Sequence, residues 1–239
     1  MDWFSYCVAG IMVYVAVAVF VLGMTYRVYQ WLSAPKTRVK TGIFPKENTT
    51  GARVFHLVKD SFVFPQVLQV DRRMWFFTIL FHFGLLGAFV GHLRLIHELT
   101  PLVNLLGPKG MNQLSLLGGG VMGIVLIVTL AYFLLRRFTS PFKELSVLED
   151  YLLVILLILI VVMGNHMRFV GHIDASAYRA YVQSLLVLKP AFPAPLAESS
   201  IKSALVFHVL FVNLLLIYFP FSKLVHLMAT FPANLARRR

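Results

Sequence analysis

Residues 75–96 read WFFTILFHFGLLGAFVGHLRLI, an apolar run of the length that crosses a bilayer core, and the run carries two histidines, His82 and His92. Ionisable side chains are expensive in hydrocarbon and mark a pathway, a ligand or a paired site. Gly84, Gly87 and Gly91 sit among them, and the missing side chains are expected to let something broad lie against the helix. Ten positions along a helix separate the imidazoles by roughly 15 Å, enough for two flat prosthetic groups at different depths. The expectation is one helix offering two haem ligands.

The rest of the composition fits a membrane setting. A chain of 239 residues that is 59% hydrophobic and 13% charged, with a mean hydropathy of +0.78, is more apolar than a soluble core of that size needs. The expected fold class is an all-α membrane protein, a single domain over 1–239. The N-terminal MDWFSYC lacks the basic stretch of a cleavable signal, so the first span is expected to be retained. The one cysteine, Cys7, excludes an internal disulfide and an iron–sulfur cluster held by this chain alone. No CxxCH motif is present for covalent haem attachment. The net charge of +12 could suggest nucleic acid, but in so apolar a chain it reads as topology, with lipid and not nucleic acid as the surrounding partner.

Five transmembrane helices are expected, at about 6–26, 75–96, 113–135, 148–165 and 204–228, the fourth being short. Sixteen of the 22 basic residues follow the first or third span or lie near the C-terminus, Lys36, Arg38, Lys40, Lys46 and Arg237, Arg238, Arg239 among them. The opposite side holds Arg94, Lys109, Arg168, Arg179, Lys189 and Lys202. By the positive-inside rule the N-terminus lies outside and the C-terminus in the cytoplasm of a cytoplasmic (inner) membrane. The cytoplasmic loop at 27–74 places Phe55, Val58 and Phe62 on one helical face, for lying on the membrane surface or for docking a soluble partner. His56 in that piece reads as an ordinary surface histidine. In the outer-face segment at 166–203, residues 178–188 are expected to form a short helix. The glycines at 118, 119, 120 and 123 read as helix packing.

The fifth span brings a second histidine pair, His208 and His226. Spans two and five run antiparallel, so His92 and His208 fall toward the outside and His82 and His226 toward the cytoplasm. Two stacked bis-histidine haems follow, making a di-haem cytochrome b bundle. On straight helices the axial spacings of ~15 and ~27 Å disagree, and Pro220 is the place where span five can kink. Zinc fits less well, because two histidines per level leave a tetrahedral site short of ligands.

These residues also carry a family resemblance. FHFGLLGAFVGH (81–92), LLGGGVMGIVLIVTLAYFLLRRFTSP (116–141) and FHVLFVNLLLIYFPFSKLVH (207–226) resemble the second, third and fifth spans of the gamma, or cytochrome b, subunit of respiratory nitrate reductase. The resemblance covers roughly 75–141 and 204–230, with both histidine spacings kept. The long first loop, KDSFVFPQVLQVDRRMWFFTILFH with the following GHLR, and GNHMRF (164–169) are more similar to DsrM-type subunits of complexes associated with dissimilatory sulfite reduction, which are related to the membrane subunit of heterodisulfide reductase.

That resemblance implies a quinol-oxidising or quinone-reducing subunit of a membrane oxidoreductase. It would hold two haem b, His82 with His226 on the cytoplasmic side and His92 with His208 outside. Menaquinol would be the substrate near the outer haem. The partner would be a cytoplasmic iron–sulfur, heterodisulfide-reductase-like subunit of sulfur metabolism, with further complex subunits. The nitrate reductase family has a lysine just before span three tied to the quinol site; here Met111 aligns with it and Lys109 lies two residues earlier. Arg94 is placed either against a haem propionate or snorkelling to the interface. Lys109, His97, His166 and His172 are candidates for the outer quinone and proton path. Three other readings stand beside this one: a nitrate reductase gamma subunit, a histidine-relay proton channel or transporter without haem, and an anchor that docks a soluble enzyme through the first loop. The topology is checked by cysteine labelling: in a Cys7→Ser background, Lys40→Cys and Lys109→Cys should react from opposite faces of the membrane, and reaction from one face overturns it.

Overall fold

The computed structural model describes residues 1–34, 49–171 and 173–236. Lys36, Arg38, Lys40, Lys46, His172, Arg237, Arg238 and Arg239 lie outside the described residues. Among the described residues all regular structure is helical. Five helices are long and apolar enough to cross a membrane: Trp3–Ser33, Arg72–Leu93, Thr100–Arg136, Leu148–Val170 and Lys202–Phe221. They match the five expected spans, with different ends. The third extends upstream through a bend at Gly107, whose φ of 69° and following Pro108 interrupt the helix. Lys109 and Met111 therefore fall inside its helical body. The short helix expected on the outer face, at 178–188, runs Ala175–Leu186.

The chain divides into two compact units, one of residues 1–16 with 80–215 and the other of residues 17–79 with 216–239. In the first unit the spans meet through polar contacts. The first span has a π-helical turn at Cys7–Ile11, a widening that disturbs the regular carbonyl pattern. Two of its carbonyls are taken by other helices: Asn213 Nδ2 donates to Val8 O at 2.9 Å, and the Tyr181 hydroxyl to Ala9 O at 2.6 Å. Burial pushes the Tyr181 phenol above its usual value, so it remains a donor. Ala9, Ala177, Tyr181, Leu196 and Leu205 form the buried apolar cluster around that contact.

Spans three and four pack through glycines. A Cβ on Gly123 would stand 1.9 Å from Asn165 Oδ1, and one on Gly120 would touch Phe169 at 3.4 Å. Asn165 Nδ2 donates to the Gly123 carbonyl at 3.1 Å. The packing expectation holds at Gly119, Gly120 and Gly123, while Gly118 faces open space. Gly84 and Gly87 of span two serve the same purpose: their Cβ positions lie 3.2 Å from Leu126 and 2.9 Å from Met122 of span three. The expectation that all three glycines beside the histidines leave open surface is corrected, since only Gly91 faces open space.

Just beyond the C-terminal end of span two, Arg94 is buried (7% exposed). Its Nε donates to Glu98 Oε1 at 2.6 Å and its Nη2 to Asn112 Oδ1 at 2.7 Å. Arg179 of the outer helix donates from Nε to the Arg94 carbonyl at 3.0 Å and pairs with the other oxygen of Glu98. A cation on a carbonyl at a helix C-terminal end is favourable to the helix dipole. The two guanidiniums, Arg94 foremost, hold the Glu98 carboxyl below its usual range.

In the second unit, the loop helix Thr50–Phe62 packs on the C-terminal helix His226–Ala236 through the Phe62–Phe231 ring pair at 6.0 Å and the bond from Asn234 Nδ2 to Ser61 Oγ at 3.0 Å. Phe55, Val58 and Phe62 stay exposed, as the stripe at 27–74 predicts. The fifth span departs most from expectation. Its α-helix ends at Tyr218, passes through the short 3-10 turn Phe219–Phe221, and at Ser222 becomes extended, with ψ 174°. Pro220 offers no N–H to continue the helix. Gly23 makes room for its ring, and Arg27 Nε holds its carbonyl at 2.8 Å. His226 then opens a separate helix, so the single straight helix over 204–228 and its ~27 Å spacing are corrected.

Two outcomes follow from these contacts. Gly123→Ala should destabilise the detergent-solubilised protein by about 1–3 kcal/mol through overpacking, and Asn165→Ala should relieve most of that loss. An unchanged melting temperature in Gly123→Ala refutes the close approach. Glu98→Gln should cost about 1–2 kcal/mol at neutral pH, between an exposed and a buried pair. Because the folded carboxyl titrates below its unfolded value of about 4.3, this contribution is present above that pH and lost as pH falls through the folded value. The two melting curves should therefore converge in acid; a gap that persists unchanged to pH 3 counts against the ion pair.

Candidate functional site

His92 lies in the last turn of span two and His208 in the second turn of span five. Their rings come together, 6.4 Å between centroids and 8° from parallel. Each ring is fixed from behind. His92 Nδ1 donates to the Ala88 carbonyl at 2.6 Å, and His208 Nδ1 donates to the Ile160 carbonyl of span four at 2.9 Å. A carbonyl only accepts, so the proton sits on Nδ1 and each Nε2 keeps its lone pair. This is the arrangement in which a metal-binding histidine is held by its outer partner. Gly164 lies against the His208 ring: its Cβ position is 3.4 Å from His208 Cε1, within van der Waals contact.

The spacing suits an iron atom between the rings. Two imidazoles set end to end on one metal, with bonds of about 2 Å and about 1 Å from each nitrogen to its ring centre, would have centroids about 6 Å apart, close to the separation here. The expected pairing of His92 with His208 is brought together in this structure.

His82 is half-buried on span two, with the Phe81 ring edge-on at 5.4 Å. His226 is exposed, and its Nδ1 donates to the Lys223 carbonyl at 3.0 Å, the same protection of tautomer. The two belong to different compact units.

The remaining candidates divide. Arg94 lines a cleft of about 150 Å³ together with Glu98, Asn112, Asp174, Ser176 and Arg179. Lys109 is exposed and does not line it, whereas Met111 is buried (4% exposed). His97 and His166 are exposed, and His56 is half-buried on the loop helix. Asp174 accepts the Ser176 N–H at 2.8 Å, which holds its carboxyl below the usual range. Sequence reasoning missed Glu98, Asn112, Asp174 and Arg179 as cleft residues, and Gly164 as the seat of His208. Gly164 had a signal, being the one glycine in span four. The cleft had none, since its members are spread over 85 positions.

The family model for the nitrate reductase gamma subunit matches residues 66–239. A relative from Archaeoglobus fulgidus, called an Hdr-like menaquinol oxidoreductase cytochrome b-like subunit, is 29% identical over 248 residues, covering 89% of this chain and 74% of its own. Its namesake from Archaeoglobus profundus is 26% identical over 247 residues, covering 89% and 73%. With five apolar helices and a match over well more than half its length, the chain is an integral membrane protein and belongs to the nitrate reductase gamma subunit family.

Proposed function

We propose that this chain is the cytochrome b subunit of a menaquinol oxidoreductase, holding two haem b groups in a cytoplasmic membrane with its N-terminus outside. The observation that carries the reading is the His92–His208 pair, near-parallel at 6.4 Å, with both Nδ1 atoms committed to carbonyls and both Nε2 atoms left as ligands. Bound there, haem b would supply reversible one-electron exchange. His82 and His226 are proposed to hold the second haem; the motif spacing and the His226 tautomer support that assignment.

The chain's own groups suggest how a quinol is received. Glu98 and Asp174 are ionised at neutral pH, so in the cleft they can accept hydrogen bonds from quinol hydroxyls. Arg94 and Arg179 balance them and keep the cleft polar. Lys109, exposed two residues beyond the bend at Gly107, stays a candidate for guiding the head group. The names of the two archaeal relatives favour an Hdr-like complex over a nitrate reductase. On that basis the electron acceptor is proposed to be a cytoplasmic iron–sulfur subunit working in sulfur metabolism. The exposed Phe55, Val58 and Phe62 are a surface it could use.

The purified protein, reduced with dithionite, should show low-spin bis-histidine haem bands at about two haems per chain. His92→Ala and His208→Ala should abolish one and the same component in a redox titration, and His82→Ala and His226→Ala the other. Loss of the same component in His82→Ala and His208→Ala refutes the pairing, and absence of haem bands refutes the electron-transfer reading.

A further inference from the structure

Resting on the haem reading above, we propose that Arg168 is the carboxylate-binding residue of the outer haem site, placed to hold a propionate of the group that His92 and His208 ligate. The placement comes from one face of span four. Ile160, Gly164 and Arg168 are four residues apart and lie one above another on the helix. The Ile160 carbonyl takes His208 Nδ1, and Gly164 lies against the His208 ring. Arg168 comes next, about 6 Å further along the axis. The imidazole that would bind iron and the guanidinium thus occupy successive turns of the same surface.

The opposite wall is cut to fit. The guanidinium of Arg168 lies over Gly119 of span three, where a Cβ would stand 2.8 Å from Nη2 and 3.1 Å from Cζ. Gly119 is therefore a notch for this side chain. Arg168 is half-buried, yet among the described residues its guanidinium has no hydrogen-bond or ion-pair partner. A half-buried cation without an anion is an unfavourable arrangement unless a ligand completes it.

The other cations of that side do not offer themselves. Arg94, the residue the sequence suggested for a propionate, has its guanidinium engaged by Glu98 and Asn112. Arg179 is paired with Glu98, and Lys202 with Asp2 at 2.7 Å. Lys109 and Lys189 are exposed. Planar Arg matches a carboxylate with two parallel hydrogen bonds.

The test is redox potentiometry of purified, haem-loaded protein, with His208→Ala used to mark which spectral component belongs to the outer site. Removing a cation beside a haem disfavours its reduced, more electron-rich form. In Arg168→Gln the marked component should shift to lower potential and its haem should be lost more readily on dilution into haem-scavenging apomyoglobin. Arg168→Lys should restore most of the potential and less of the retention, because the charge returns without the fork. Lys189→Gln, an equal loss of charge on the exposed outer segment, should leave both components in place. An unshifted marked component in Arg168→Gln, or a shift confined to the other component, overturns the assignment while leaving the histidine ligation standing. If Arg168→Gln fails to accumulate, Arg168→Lys decides: wild-type haem retention overturns the forked contact. A wild-type protein without haem bands overturns the haem reading and this assignment together.

Discussion

In hydrocarbon a backbone carbonyl displaced from its helical partner has no water to turn to, and a polar side chain has none either. Four side chains in the first unit answer both needs by reaching across to a carbonyl of another helix. Asn213 takes Val8, Tyr181 takes Ala9, Asn165 takes Gly123 and His208 takes Ile160. Apolar packing alone distinguishes poorly between neighbours in lipid, since lipid tails are as apolar as leucine. These cross-helix bonds supply the missing specificity of register. The orientation of the His208 ring is one product of that system.

Each bond depends on something small nearby. Gly123 admits Asn165, Gly164 admits His208, and the π-helical turn at Cys7–Ile11 presents carbonyls outward for Asn213 and Tyr181. Outside the apolar segments the same logic passes to charge. Arg94, Glu98 and Arg179 tie the end of span two to the outer helix, and Asn112 ties it to span three. His92 sits one turn before this junction, so the position of its ring is referred to three elements at once.

Much of this was legible in the residues. Five apolar runs gave five helices, and matched depth on antiparallel spans was enough to bring His92 to His208. The glycines beside the histidines suggest room for a ligand, but Gly84 and Gly87 answer to span three. Periodicity places a glycine on a face but does not say which neighbour that face meets. Pro220 was flagged as a kink, yet the full break required Ser222 to turn extended and the ring to find Gly23, contacts between positions about 200 apart in sequence. The cleft was hidden for the same reason: Glu98 and Arg179 have no local pattern that joins them.

The close fit of spans three and four bears on how the protein enters the membrane. Span four carries Asn165 and Arg168, groups that lower the tendency of an isolated helix to partition from the translocon into lipid. Span three is synthesised just before it and already presents the notches at Gly119 and Gly123 that receive those two side chains. A short connection lets the pair form as a hairpin, so the polar groups can be shielded by protein before they are exposed to acyl chains. The glycines of span three and the polar groups of span four are thus matched within one hairpin of consecutive helices.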